Sequence, residues 1–124
     1  MKDKRPVNLD IATIRLPLTA WTSIAHRASG VFIFVGMAIL IWALDLSLES
    51  PQSFAELQQY LTSPWLKFTM WAVLSGLIYH SVAGVKYLIM DLGIGESMEG
   101  GTRGAQLVIA TSVILILLAG LWIW

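Results

Sequence analysis

Three long runs without a charged residue decide what this chain can fold into. Residues 28–44, 68–85 and 105–124 contain no Asp, Glu, Lys or Arg. An α-helix needs about 20 mostly apolar residues to cross a bilayer, and each run approaches or reaches that length with its flanks. Backbone groups must find their partners internally in lipid, and a helix provides this within one segment. The sequence therefore predicts an all-α integral membrane bundle of three transmembrane helices.

Composition agrees with a membrane protein and excludes several other classes. Of the 124 residues, 56% are hydrophobic and only 13% are charged, so a soluble domain could not cover its apolar surface. The formal net charge is zero, which gives no electrostatic basis for nucleic-acid binding. The chain has no cysteine, so it cannot itself hold a disulfide, an iron–sulfur cluster or a thiolate zinc site. No cleavable signal peptide is expected, because no small-residue cleavage site follows a short apolar core.

The runs and their flanks predict one membrane domain over residues 1–124. We expect a cytoplasmic arm over residues 1–20, interrupted by prolines, and spans at about 22–46, 65–90 and 104–124. Between the first two spans, Ser53 and Glu56 fit a capping box, with Ser53 as the N-cap. This pattern predicts either a short helix on the membrane surface or a plain solvent-facing turn. Three helices make a thin bundle, so helices from another chain are expected to complete it.

Charge placement predicts the orientation of the bundle. Seven cations fall on the side that holds the N-terminus and the second loop, namely Lys2, Lys4, Arg5, Arg15, Arg27, Lys86 and Arg103. The opposite side has only Lys67. Because lysine and arginine accumulate in cytoplasmic loops, the N-terminus is predicted to be cytoplasmic and the C-terminus to lie outside.

The second span carries the histidine His80, with no charge within five residues on either side. Ionisable residues inside membranes are costly and usually functional. Gly76, His80 and Gly84 share one helix face, which would leave a trough in which a haem could lie while His80 reaches its iron. The alternative is that the two glycines form a small-residue helix contact and His80 bonds to a neighbouring helix.

A second polar cluster lies at the start of the first span. Ser23, His26, Arg27 and Gly30 follow at helical spacing, so they share a face. Arg27 can pair with carboxylates such as haem propionates, and Ser23 can donate a hydrogen bond to a quinone carbonyl. The alternative is that Arg27 only snorkels to the membrane surface.

The depth of the two histidines predicts separate roles for them. His80 is eleven residues from Asp91, or about 16 Å along a helix, whereas His26 is placed at the membrane boundary. Two imidazoles at different depths do not suit the two axial positions of one haem. A sixth iron ligand would then come from another polypeptide, with Arg27 and Lys86 near the propionates on the cytoplasmic side.

Several motifs together resemble a known family. Residues 5–7 (RPV), 23–30 (SIAHRASG) and 80–84 (HSVAG), followed by Asp91, resemble the cytochrome b membrane-anchor subunits of bacterial succinate dehydrogenase, respiratory complex II. The resemblance covers essentially the whole chain. It implies that Ser23 and Arg27 line a ubiquinone site beside the iron–sulfur subunit.

The same resemblance implies a cofactor and its partners. His80 would be an axial ligand of haem b, and Gly84 belongs to the same motif. His26 would lie close to the haem propionates, and Arg27 near both the quinone and the haem. The other axial histidine would come from a second anchor subunit. Electrons would pass from succinate through the flavoprotein and iron–sulfur subunits to quinone, at the bacterial inner membrane. The chain would be a subunit of this oxidoreductase and not an enzyme on its own, since it carries no nucleophile–base pair or nucleotide fingerprint.

Two departures and two alternatives accompany the resemblance. The family often has arginine and then histidine where this chain has Lys86 and Tyr87, and lysine lacks the bidentate fork of arginine. One alternative is an anchor of fumarate reductase, which runs the reverse reaction. The other is a structural membrane subunit, or a small transporter component, without a cofactor.

Overall fold

The chain folds into four α-helices in a computed structural model that describes residues 15–124. They are α1 (Leu18–Glu49), α2 (Pro51–Tyr60), α3 (Pro64–Asp91) and α4 (Met98–Ile123). Helices α1, α3 and α4 are 32, 28 and 26 residues long, and each is long and apolar enough to cross a membrane. The predicted all-α fold with three candidate spans is confirmed. Most of the predicted N-terminal arm, with Lys2, Lys4 and Arg5, lies outside the described residues.

The short helix α2 begins one turn earlier than the capping pattern predicted. Ser50 is its N-cap, and the Ser50 hydroxyl accepts a hydrogen bond from the Ser53 backbone at 3.0 Å. Ser53 returns the bond by accepting from the Ser50 backbone at 2.9 Å. The prediction that Ser53 is the N-cap with Glu56 as its partner is therefore wrong. Pro51 explains the shift, because its fixed φ favours the first helical position.

Helix α2 packs against α1, so the connection is a helix and not a plain turn. Leu57 is buried on this helix, whereas Phe54 stays 46% exposed. The Tyr60 ring stacks near the Trp42 ring of α1, with centroids 6.2 Å apart. These contacts hold α2 against the end of α1.

Helix α3 lies between α1 and α4 and contacts both. Gly36 of α1 faces Val73, whose methyl groups would lie 3.0–3.1 Å from a Cβ at position 36. Trp71 faces α4 and donates its indole N–H to the Ile116 carbonyl at 2.9 Å. The neighbouring Gly120 leaves room for the indole. Small residues thus let three long helices approach closely, as is usual in membrane bundles.

The outer surface of the bundle is strongly apolar. Phe34, Trp65, Met98 and Trp122 are each more than 80% exposed, and many leucines and isoleucines are exposed with them. A soluble monomer does not expose so continuous an apolar surface. The surface therefore fits contact with lipid and with the helices of a partner chain.

Candidate functional site

His80 points from α3 onto α1 and is held there by two hydrogen-bond contacts. Its Nδ1 lies 2.9 Å from the Ser29 hydroxyl and 3.2 Å from the His26 carbonyl oxygen. The imidazole approaches closely because Gly30 has no side chain; a Cβ there would lie 3.2 Å from the His80 Cε1. The sequence placed Gly30 on this face but did not predict that His80 packs against it.

The hydrogen-bond network assigns the His80 tautomer. The Ser29 hydroxyl donates to the His26 carbonyl at 2.7 Å, so it accepts from the His80 Nδ1–H. A protonated Nδ1 also satisfies the His26 carbonyl, whereas a bare Nδ1 would face that oxygen with a lone pair. The lone pair of the neutral ring is therefore on Nε2, which makes no hydrogen bond within residues 15–124.

This arrangement suits a histidine that binds a metal through Nε2. Metal-binding histidines usually donate their other N–H to a carbonyl, a carboxylate or water, which fixes the ring and its tautomer. Across residues 15–124, no three or more His, Asp or Glu side chains gather to hold a metal ion. His80 by itself therefore offers one nitrogen, Nε2, as a metal ligand.

His26 lies directly on His80, and the predicted difference in depth is wrong. The two rings stack with centroids 4.2 Å apart and an interplanar angle of 8°. The prediction placed the membrane boundary at the first charge-free residue, but α1 begins at Leu18, so His26 is already two turns into the helix. The rings face one another, and iron binds in the plane of an imidazole ring. The stacked pair therefore does not suit one iron bound between His26 and His80.

The predicted open trough on α3 is filled by α1. A Cβ at Gly76 would lie 2.5 Å from Cδ1 of Phe32, so Gly76 forms the small-residue helix contact that was the alternative interpretation. At Gly84 a Cβ would lie 3.6 Å from the His26 Nε2, which is ordinary contact. Spacing along one helix identifies a shared face but does not show which neighbour covers it.

A second inter-helix bond supports the site from one turn away. The Tyr79 hydroxyl donates to the Thr22 carbonyl at 2.7 Å. The side chain of Thr22 is buried and donates in turn to the Thr19 carbonyl. This bond pins α3 to the first turns of α1, and it holds His80 opposite His26.

Ser23 and Arg27 lie on α1 beside the histidine pair. Ser23 is half-buried and Arg27 is exposed. Neither makes a hydrogen bond to His80, whereas His26 and Gly30 of the same cluster both contact it. The structure therefore brings two of the four predicted cluster residues to His80 and leaves Ser23 and Arg27 at the edge of the site.

Lys86 and Tyr87 contact each other near the end of α3, with the Lys86 Nζ 5.0 Å from the centroid of the Tyr87 ring. The stem of Lys86 lies against Gly104 of α4, where a Cβ would be 3.2 Å from the lysine Cε. The stem of Lys86 thus runs along α4, while its ammonium group lies over the Tyr87 ring. The Tyr87 ring lies 5.3 Å from the His26 ring, and its buried hydroxyl finds no partner within the described part of the chain.

Comparison with known proteins identifies the family. Residues 1–119 match the family model described as succinate dehydrogenase/fumarate reductase transmembrane subunit. The chain belongs to this family. The family assignment and the three candidate spans make it a multi-pass membrane protein, and they confirm the predicted resemblance to the anchor subunits of succinate dehydrogenase.

Three relatives illustrate how far the similarity extends. A succinate dehydrogenase cytochrome b556 subunit from Coxiella burnetii is 42% identical over 100% of both chains. The subunit of the same name from Paracoccus denitrificans is 34% identical over 94% of this chain and 90% of the relative. The mitochondrial cytochrome b560 subunit from Sus scrofa is 29% identical over 89% of this chain and 66% of the relative.

The contact between Gly76 and Phe32 predicts a destabilised Gly76→Ala variant. Overpacking a tight contact typically costs about 1–3 kcal/mol, which outweighs the gain of about 1 kcal/mol from replacing glycine in a helix. We expect the purified membrane complex to inactivate at a lower temperature. Gly101→Ala is the matched control, because its Cβ would meet Thr19 at an ordinary 3.4 Å. A Gly76→Ala complex as heat-stable as the wild type would contradict the prediction.

Proposed function

We propose that this chain is the haem b- and ubiquinone-binding membrane anchor of succinate dehydrogenase. It would pass electrons from the iron–sulfur subunit to quinone. The observation that carries the proposal is His80, which is held through Nδ1 by Ser29 and the His26 carbonyl so that Nε2 is left for iron. Its relatives are named cytochrome b556 subunits, which supports a b-type haem. The test is a reduced-minus-oxidised optical spectrum of the purified complex, in which a b-type spectrum is expected.

The haem would be held by residues of this chain and of a second anchor subunit. His80 would offer its Nε2 to the iron, and the partner anchor would offer a second ligand. His26, stacked on His80 with Gly84 beside it, and Arg27, one residue further along α1, would meet the propionates on the cytoplasmic side. When bound, the haem supplies a one-electron carrier. The protein would orient the His80 ring through Ser29 and the His26 carbonyl, with the His26 ring stacked on one face.

Ser23 and Arg27 would form this chain's part of the quinone site. The Ser23 hydroxyl can donate a hydrogen bond to one quinone carbonyl oxygen. The Arg27 guanidinium can stabilise the negative charge that develops on that oxygen as electrons arrive from the iron–sulfur subunit. The exposure of Arg27 leaves it available to a ligand and to the subunit docked beside it.

The bundle would lie in the bacterial inner membrane with the N-terminus in the cytoplasm. The start of α1, the end of α3 and the start of α4 share one end of the bundle, as Gly101 meeting Thr19 shows. Arg15, Arg27, Lys86 and Arg103 lie toward that end, whereas Lys67 lies at the opposite end. This asymmetry supports a cytoplasmic N-terminus by the positive-inside rule, and the quinone residues would then lie on the side where the soluble iron–sulfur and flavoprotein subunits dock.

A fumarate reductase anchor is the second candidate, because the matching family includes transmembrane subunits of both enzymes. The two differ in physiological direction, which depends on the potentials of the partner cofactors and on the quinone. Comparing succinate oxidation with fumarate reduction by the purified complex separates them. A cofactor-free anchor would be distinguished by a complex without a Soret band.

Replacing Ser23 by Ala is expected to weaken quinone reduction by about 2–10-fold in kcat/KM, the range of one neutral hydrogen bond. Ser47→Ala is the matched control, because Ser47 lies at the far end of α1 and its hydroxyl bonds to the Leu44 carbonyl. Steady-state kinetics with a soluble quinone analogue would measure both. Kinetics unchanged in Ser23→Ala would remove Ser23 from the quinone site.

A further inference from the structure

We propose that Ser29 is a positioning residue for the iron ligand. Its hydroxyl would select the Nδ1–H tautomer of His80 and fix the plane of the ring, so that Nε2 is presented to the haem iron. This inference rests on the proposed haem ligation by His80. It gives a role to a residue that stood out in the sequence only as part of the 23–30 motif, three residues after His26 and directly before Gly30.

The position of the Ser29 hydrogen follows from two distances. Ser29 Oγ lies 2.7 Å from the His26 carbonyl of its own helix and 2.9 Å from the His80 Nδ1 of α3. A hydroxyl has one hydrogen to donate and lone pairs with which to accept. The His26 carbonyl can only accept and also faces the His80 Nδ1, which favours a hydrogen on Nδ1, so the Ser29 hydrogen is directed to the carbonyl. Ser29 then acts only as an acceptor toward His80.

The His26 carbonyl is the second acceptor for the same N–H. It lies 3.2 Å from the His80 Nδ1, which is longer than the serine contact. One N–H is therefore shared between two acceptors, and the shorter contact defines the ring direction. Gly30 allows the ring to enter, since a Cβ at that position would lie 3.2 Å from the His80 Cε1.

A bond from Nδ1–H has two measurable consequences for an iron bound at Nε2. It makes the imidazole a stronger electron donor, which favours ferric over ferrous iron and lowers the reduction potential. It also fixes the ring plane, to which the electron paramagnetic resonance (EPR) spectrum of ferric haem responds. A residue needed only for helix packing would change neither property.

Removing the serine hydroxyl should therefore raise the potential of the haem. Loss of the groups that orient metal-binding histidines changes metal affinity or activity by about 10–100-fold. Because the His26 carbonyl remains as an acceptor, we expect the low end of that range. A tenfold change in the ferric-to-ferrous preference is about 59 mV for a one-electron couple.

The experiment compares Ser29→Ala, Ser29→Thr and Ser47→Ala in the complete purified complex. Ser47 makes the same kind of bond to the carbonyl three residues before it, but it contacts no histidine. Redox titration of the haem, EPR of the ferric state and the haem-to-protein ratio are measured. Ser29→Ala should raise the potential by about 59 mV and alter the EPR spectrum, or lose haem, whereas Ser29→Thr and Ser47→Ala should match the wild type.

Two outcomes would overturn the role of Ser29. One is an unchanged potential and EPR spectrum in Ser29→Ala. The other is a Ser29→Thr complex that changes as much as Ser29→Ala, because the hydroxyl would then not rescue the site. His80→Leu, prepared alongside, separates this failure from failure of the proposed function. If His80→Leu keeps its haem signal, the ligation itself is refuted; if it loses the signal while Ser29→Ala is normal, only the positioning role is refuted.

Discussion

Replacing His80 by Leu is expected to abolish the b-type spectrum of the purified complex. Leucine fills much of the space of the imidazole but has no lone pair for iron, and it also removes the bonds to Ser29 and the His26 carbonyl. We expect the haem-to-protein ratio to fall at least 10-fold, the loss associated with weakening a metal site of this kind. A reduced-minus-oxidised spectrum and a haem assay on the same sample measure this.

His26→Leu is the matched control for this variant. It removes the ring stacked 4.2 Å from His80 but leaves the His26 backbone carbonyl position and the His80 nitrogens in place. We expect a haem signal that is retained and shifted. An unchanged spectrum in His80→Leu, with loss of the spectrum in His26→Leu, would transfer the ligand to His26. A wild-type complex without haem would leave only a membrane anchor.

The number and type of helices could be predicted because the bilayer sets a single strong constraint. Three charge-free runs of near-span length admit no other regular structure in lipid. The helix ends were harder to predict, because neighbouring residues compete for the capping and first-turn positions. Pro51 favours the first helical position, so α2 begins there with Ser50 as its N-cap. Helix α1 begins at Leu18, although the charge-free run begins ten residues later. A helix can carry polar residues past the apolar region, so charge does not mark its end.

The candidate site could be predicted one helix at a time, but not across helices. His80 and His26 stand out because ionisable groups in apolar segments are costly, and Gly30 follows from helical spacing. The partners of His80 could not be read in this way. Ser29 facing His80 and Phe32 covering Gly76 both depend on how α1 and α3 are rotated against each other. That rotation is set by packing of small residues, for which the sequence offers several equivalent choices.

The same limit explains the error in depth. Counting residues from the nearest charge placed His80 about 16 Å from the surface and His26 at the surface. The structure stacks the two rings because α1 continues before His26 and because α3 is antiparallel to it. Distances counted along two separate helices cannot be compared until a contact between the helices shows which residues lie at the same depth. The bond from Tyr79 to the Thr22 carbonyl is such a contact.

Replacing Arg27 by Leu is expected to lower quinone reduction by about 10–100-fold, while succinate oxidation by an artificial soluble acceptor stays at the wild-type rate. A hydrogen bond to a charged group contributes about 1.5–3 kcal/mol, and here it would act on the oxygen where charge develops. The soluble acceptor takes electrons before they reach the membrane, so it does not depend on Arg27. Both rates are measured on one preparation, with the exposed Arg15→Leu as a control for loss of a positive charge near the same end of the bundle.

The haem spectrum of the Arg27→Leu complex then separates the two ligands that this guanidinium could serve. If Arg27 acts on quinone, the quinone rate falls while the haem potential changes little. If its partner is a propionate, removing the nearby positive charge should lower the haem potential, because ferrous haem carries one more negative charge than ferric haem. Equal loss of both succinate-dependent rates would contradict either role, because Arg27 would then be needed for docking of the soluble subunits and not for ligand binding.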